Sequence, residues 1–337
     1  MGGVSAVHWL KSTHRMPPDP SDPIVRTLHH VEGLRWFARG RVLCRDEHGE
    51  TFLAEGLVPG ERATVERLRR GRRRTARAVA IAAPAPTRID AMCPQALACP
   101  GCQLLHVDLA EEQRIKRLTI AEVLTRYTSM EVTTDDVGLV SSGVRGGHRV
   151  RARYHYDPNP PRLGLVAHDD RVVDTVACPA STPAIRSAAA TVLAAAERFG
   201  WPACTVSLIE GRVEGAAAVA VVLDVPGVAG AAELVESVSI CAVAETDGAS
   251  THLAAGAWPA QIPVAGIALE AAPGAWTQPT PAAADALYRW LEDAVPWRGA
   301  SVLDATCGTG GMALMIARQA REALAVDANW AAVQSAA

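Results

Sequence analysis

The chain has 337 residues, 49% of them hydrophobic and only 4% aromatic, and carries a formal net charge of −3. That length suits about two or three domains, with cores built mainly from Ala, Val and Leu. No apolar run is long enough to cross a bilayer, and residues 1–20 lack a signal peptide's apolar core; a cytoplasmic monomer with eight reduced cysteines is therefore expected.

Residues 1–23 are rich in Gly and Pro and are expected to be disordered. From Ile24 short strands alternate with turns: Gly40-Arg-Val-Leu43, the turn Asp46-Glu-His-Gly49, Thr51-Phe-Leu-Ala54, then the turn Val58-Pro-Gly-Glu61. Arg62–Leu68 and Thr75–Ile81 read as a hairpin around an Arg-rich tip. Several short strands in so small a space predict an OB-like barrel over residues 24–86. The run from Arg67 to Arg77 is strongly basic. Arg69, Arg70, Arg72, Arg73 and Arg74 are its candidate phosphate contacts, and a solvated charged face is the bland alternative.

Cys93-Pro-Gln-Ala-Leu-Ala-Cys99-Pro-Gly-Cys102 places three thiols in one turn-rich loop, and Cys178 in Cys178-Pro179 is a fourth candidate. Pro100 and Gly101 let the backbone fold back so that the sulfurs converge. Soft thiolates at this spacing select zinc or an iron–sulfur cluster.

Val58-Pro-Gly-Glu61, Pro86-Thr-Arg88 and Cys93-x5-Cys99-Pro-Gly-Cys102-Gln-Leu-Leu-His106 together resemble the RNA 5-methyluridine (uracil-C5) methyltransferases. The resemblance implies a TRAM domain at residues 24–86, followed by a 4Fe–4S cluster held by Cys93, Cys99, Cys102 and Cys178, with zinc as the alternative. Pro100 stands where that family usually has Gly. The implied fold is multidomain α+β: the TRAM barrel, then the cysteine loop and a β-rich central domain over residues 87–270. The start of a doubly wound class I methyltransferase domain follows over residues 271–337.

Downstream, Asp108–Arg126 has the periodicity of an amphipathic helix, suited to packing on the methyltransferase domain. Arg149-Val-Arg151-Ala-Arg153-Tyr-His155 alternates strictly, which predicts a strand with Arg149, Arg151, Arg153 and His155 on one face. Three adjacent guanidiniums favour an anion opposite; an RNA backbone is the favoured partner and a solvated outer face the alternative. Thr182-Pro183 opens a helix that Gly200 closes. Thr205–Glu210 and Ala217–Leu223 read as paired strands, with Cys204 and Cys241 as core residues, and 225–270 is mixed secondary structure.

Val302-Leu-Asp304-Ala-Thr306-Cys307-Gly308-Thr-Gly310-Gly311 is an apolar strand entering a glycine turn, followed by a helix from Met312 and a second strand ending at Asp327. That is the opening βαβ of a doubly wound sheet, with a carboxylate placed to accept ribose hydroxyls. Spacing alone does not separate NAD from S-adenosyl-L-methionine; the resemblance favours the latter. It makes Gln278, Asp304, Thr306, Gly308, Gly310, Gly311 and Asp327 the cofactor residues. Thr280, where the family has Asn, is an N-cap ahead of Pro281.

The family's Asp-Pro-Pro-Arg segment, catalytic cysteine and late acidic residue have no counterpart before Ala337, so no catalytic residue is assigned and a truncated methyltransferase is expected. Two functions follow. One is S-adenosylmethionine-dependent methylation of uridine C5 in rRNA or tRNA, incomplete as this chain; the other is a non-catalytic RNA-binding iron–sulfur protein.

Overall fold

A computed structural model describes residues 22–336 apart from 238, 248–249, 259–260 and 271–274. The expectation of disorder over 1–23 thus lies almost wholly outside the described residues. The turn signals cut the first part of the chain into β1 (Val25–Phe37), β2 (Arg41–Asp46), β3 (Thr51–Ala54), β4 (Arg62–Arg70) and β5 (Arg73–Ala83). They form one antiparallel sheet in the order β3-β2-β1-β4-β5. Glu55, just past β3, donates its N–H to Ala76 O and accepts from Ala78 N–H, both at 2.9 Å. The two edges therefore meet at an isolated bridge between Glu55 and Arg77 rather than along a ladder. The expected barrel is a strongly curled sheet.

Inside the curl lie Val31, Trp36, Val42, Val65 and Ala78, with Leu57 and Val107 sealing one end. The carboxylate of Glu61 is fully buried. It accepts from the N–H groups of Val58 at 2.8 Å and Ala85 at 3.1 Å, and pairs with Arg88, whose Nη2 stands 2.7 Å away. Arg88 also donates to Gly56 O at 2.8 Å. A buried charge is tolerated when it is paired and hydrogen-bonded, so Val58, Glu61 and Arg88 stitch the turn to the strand ends. Gly33 allows this closure, since a Cβ there would stand 2.7 Å from Val58 O. The helix α1 (Leu109–Tyr127) begins one residue later than expected because Asp108 is its N-cap, accepting from Glu111 N–H at 2.8 Å. It buries Ile115 against the curl.

The central part runs β6 (Arg151–Pro158), β7 (Pro161–Val166), β8 (Val172–Asp174), α2 (Pro183–Phe199), β9 (Cys204–Val213) and β10 (Ala216–Leu223). It continues through α3 (Ala231–Val235), β11 (Ile240–Thr246), β12 (Thr251–Gly256), β13 (Gln261–Val264) and β14 (Ile267–Glu270). The sheet order is β12-β11-β10-β9-β6-β7-β8, with β13 joining at β9 and β14 at β13. Thr182 caps α2 by accepting from Ile185 N–H, and Gly200 ends it at φ 63°, as its sequence signals foretold. The apolar stripe of α2 covers one sheet face, where Tyr154, Tyr156, Val206, Leu208 and Val221 lie buried.

The last part comprises α4 (Pro281–Ala294), β15 (Ser301–Asp304), α5 (Gly311–Ala317), β16 (Glu322–Ala325) and α6 (Trp330–Ala336). Strands β15 and β16 pair in parallel across α5, the anticipated βαβ. Thr280 occupies the N-cap position of α4 but makes no side-chain capping bond. This part packs on the second face of the central sheet, where Ile209, Val222 and Ala244 share a core with Ala284, Tyr288 and Met315. Leu303 and Leu324, on β15 and β16, remain 62% and 64% exposed. Among the described residues no helix is long and apolar enough to cross a membrane.

Candidate functional site

The cysteine loop winds as one tight turn: Ala96 N–H donates to Cys93 O at 3.1 Å and Cys99 N–H to Gln95 O at 2.7 Å. Cys178 follows β8 in a second turn, its N–H on Thr175 O at 2.9 Å. Both turns open on one cavity of about 400 Å³ lined by Cys93, Cys99, Cys102 and Cys178, together with Leu165, Val176 and Arg149. Gly101 permits that approach, for a Cβ there would stand 2.7 Å from Leu165. Burial pushes the Cys99 and Cys102 thiols up; the Gly101 N–H and Arg77 draw Cys99 back down, and Arg149 does so for Cys102.

Among the described residues no three His, Cys, Asp or Glu side chains are grouped closely enough to hold a single metal ion. Tetrahedral zinc needs its sulfurs about 2.3 Å from one centre; the four thiols instead share the lining of the larger cavity.

The basic hairpin is exposed at its tip. Arg69, Arg72, Arg73 and Arg74 lie on the surface, and the pairing sets Arg69 opposite Arg74 and Arg70 opposite Arg73. Facing like charges are destabilising without an anion between them. Arg70 differs from the rest: it pairs with Asp170 and donates from Nε to Asp22 O at 3.3 Å. Arg67 is held by Glu50 at 2.7 and 2.8 Å.

The expected row of arginines on β6 is broken. The strand begins at Arg151, and Arg149, ahead of it, lines the cysteine cavity instead of sharing that face. Arg151 donates from Nη1 to Ala275 O at 3.0 Å and is largely taken into the protein. Arg153 is exposed, and with Arg151 it lines a shallow cleft alongside Thr205, Ser207 and Asp224.

The glycine turn forms the second cleft. Gly308 and Gly310 hold φ of 54° and 81°, a left-handed backbone that favours glycine. A Cβ at Gly311 would stand 3.0 Å from Leu269 and 3.1 Å from Tyr288, so the helix packs close there. Gln278, Gly308 and Gly311 line one cleft with Trp276, Thr277 and Tyr288. Thr277 Oγ1 is buried with no hydrogen-bond partner, a polar atom left over for a ligand. Asp327 accepts from Gly308 N–H and Asn329 N–H, both at 2.8 Å, and these donors, Asn329 first, lower its pKa. Asp304 accepts from Thr306 N–H at 3.2 Å outside the cleft lining. The cleft holds only about 20 Å³, room for roughly one water, so a nucleotide-sized ligand requires it to open.

Sequence reasoning missed Arg77, whose place in the basic run read as surface charge, along with Thr277 and Tyr288 of the glycine-turn cleft.

No family model matches the chain. It is 34% identical over 161 residues to the 23S rRNA (uracil(1939)-C(5))-methyltransferase RlmD of Halomonas elongata, covering 47% of this chain and 32% of that protein. To the protein of the same description from Edwardsiella ictaluri it is 30% identical over 150 residues, 42% of this chain and 33% of the relative. The matched segment thus spans about a third of each curated relative's length. In fold, the chain superposes on the Pyrococcus abyssi tRNA (uracil-54, C5)-methyltransferase, solved with S-adenosyl-L-homocysteine, with a TM-score of 0.68. That likeness holds at 17% identity and covers 91% of this chain and 75% of the other. Over a little under half its length the chain is thus similar in sequence to 23S rRNA uracil-C5 methyltransferases, and its fold is similar to that of a tRNA uracil-C5 methyltransferase.

Proposed function

We propose that the chain carries the RNA-binding, cysteine-cluster and first cofactor-binding parts of an S-adenosylmethionine-dependent methyltransferase acting on C5 of uridine in rRNA or tRNA. The observation that carries this reading is the cleft of Gln278, Thr277, Gly308 and Gly311 between the glycine turn and strands β13 and β14, in a chain similar to such enzymes. S-adenosylmethionine supplies the methyl group when bound. Gly308 and Gly310 leave the backbone bare for its approach, Thr277 Oγ1 offers an unused polar atom, and Asp327 presents a carboxylate beside Gly308.

The cysteine cavity supports a 4Fe–4S cluster on Cys93, Cys99, Cys102 and Cys178, with Leu165 and Val176 walling it from solvent. The curled sheet answers to a TRAM-like RNA-binding unit, its exposed Arg69, Arg72, Arg73 and Arg74 meeting phosphates, while Arg153 adds a contact from the central sheet. Uracil C5 becomes nucleophilic after thiolate addition at C6. Cys307 sits in the glycine turn, where burial, then Asp304 and Asp327 beside it, push its thiol up, opposite to the shift that activates a thiol nucleophile.

The test is binding of S-adenosyl-L-homocysteine by calorimetry together with methyl transfer from labelled S-adenosylmethionine to unmodified RNA. Binding that falls about tenfold in Gln278→Ala, roughly the loss of one hydrogen bond to a charged group, is expected. No binding to wild type would sink the cofactor assignment, and turnover to 5-methyluridine would reassign the nucleophile to a cysteine of this chain.

A further inference from the structure

Arg77 is the arginine of the basic run that the fold turns toward the cysteine loop. From β5 its Nη1 donates to Ala98 O at 3.2 Å, and its Nη2 to Ala96 O at 2.9 Å and Cys99 O at 2.6 Å. Its Nε is buried without a hydrogen-bond partner. Glu55, the nearby carboxylate, is engaged by His168 Nε2 at 3.1 Å, and Arg77 takes part in no ion pair among the described residues. Arg77 is thus a part-buried cation spent on loop carbonyls, with Glu55 nearby and one donor, Nε, left over.

The three carbonyls that Arg77 grips belong to the residues between Cys93 and Cys102. A rigid planar fork reaching all three limits how that turn can rotate. The turn is further seated by Leu97, which lies 3.4 Å from where a Gly56 Cβ would stand. The cysteine loop is thus clamped onto the curled sheet at β5, while Cys178 comes to the same cavity from the central sheet.

We infer that Arg77 is a positioning residue for the cysteine site: it holds the 96–99 turn so that Cys93, Cys99 and Cys102 face Cys178, and brings a positive charge to the back of the loop that carries three of the four thiols. The inference rests on the iron–sulfur reading proposed above. Outer partners of this kind usually matter to a metal site by about 10- to 100-fold in affinity.

The experiment compares the full chain with Arg77→Met, which removes charge and donors, and Arg77→Lys, which keeps the charge but not the fork. Each is reconstituted anaerobically with ferrous iron and sulfide. Iron and acid-labile sulfide, loss under a chelator, reduction potential and hydrogen exchange of residues 93–102 before loading are then measured. Wild type is expected to load. Arg77→Met should lose its iron roughly tenfold faster or more, with a more negative potential and faster exchange confined to 93–102. Arg77→Lys should recover the potential but not the exchange protection. Equal retention, potential and exchange in Arg77→Met would overturn the inference. If wild type takes up neither iron nor sulfide, the iron–sulfur reading fails on its own, and the exchange of 93–102 alone decides whether Arg77 positions the loop. Should Arg77→Met unfold the curled sheet, Arg77→Lys decides on the same readouts: raised exchange supports the inference and unchanged exchange overturns it.

Discussion

The curled sheet and the central sheet spend their arginines in opposite ways. In the curled sheet one guanidinium, Arg88, is locked against buried Glu61, and the hairpin tip then carries Arg72, Arg73 and Arg74 outward. In the central sheet Arg151 is drawn inward to the carbonyl of Ala275, and Arg149 turns to the cysteine cavity. The difference teaches that the density of arginine along a chain does not measure its capacity to bind RNA. A guanidinium is available to phosphate only where the fold has not already satisfied it.

The strongest way to break the comparison is to remove the lock. Glu61→Ala leaves Arg88 buried and unpaired, which should cost about 3–5 kcal/mol in urea unfolding of the whole chain. Arg151→Ala deletes one hydrogen bond to a carbonyl and should cost only about 1 kcal/mol. Equal losses would mean that the two arginines are not used differently.

Acid should act on the same lock. Burial lowers the pKa of His106 to about 4, against the opposing bond to Leu57 O. The unfolded chain binds that proton near the ordinary value of about 6.5, so stability is present above it and is lost as pH falls toward 4. The loss is on the order of 3 kcal/mol when complete. Burial pushes Glu61 up, but Arg88 and the N–H groups of Ala85 and Val58 overcome it and hold the carboxyl below its usual range. A depressed carboxylate contributes stability above its unfolded pKa, so further loss follows below about pH 4.3. His106→Gln should flatten the stability profile between pH 6.5 and 4; a profile unchanged from wild type would remove His106 from the account.

The smallest effect sharpens the comparison most directly. Replacing Arg72, Arg73 and Arg74 together by Ala should weaken RNA binding by about tenfold or more and flatten the salt dependence by roughly 0.7–0.9 for each phosphate no longer neutralised. Arg151→Ala should leave that slope unchanged. A slope insensitive to the hairpin but sensitive to Arg151 would reverse the roles assigned to the two sheets.

Much of this was legible in local patterns. Thr182-Pro183 and Gly200 mark the ends of α2, because capping and left-handed closure depend on the residues at the ends themselves. Val302 to Asp327 reads as strand, glycine turn, helix and strand, and β15 and β16 pair as that reading requires. The four cysteines could be collected into one group by spacing and by resemblance. Other features were not legible. The alternation Arg149-x-Arg151-x-Arg153 implied one face, but the strand starts at Arg151 because Arg149 precedes it in a bridge to Ser181.

Sequence by itself determined the elements, their caps and turns, and the identity of the thiol and glycine clusters, since these follow from preferences acting over a few neighbouring residues. Tertiary structure alone decided which charges are free. Arg77 and Arg72 are five positions apart in one basic run, yet one grips the carbonyls of Ala96, Ala98 and Cys99 and the other faces solvent. Partners of that kind lie about twenty residues or more away along the chain, and only the closing of the sheet brings them within hydrogen-bond reach.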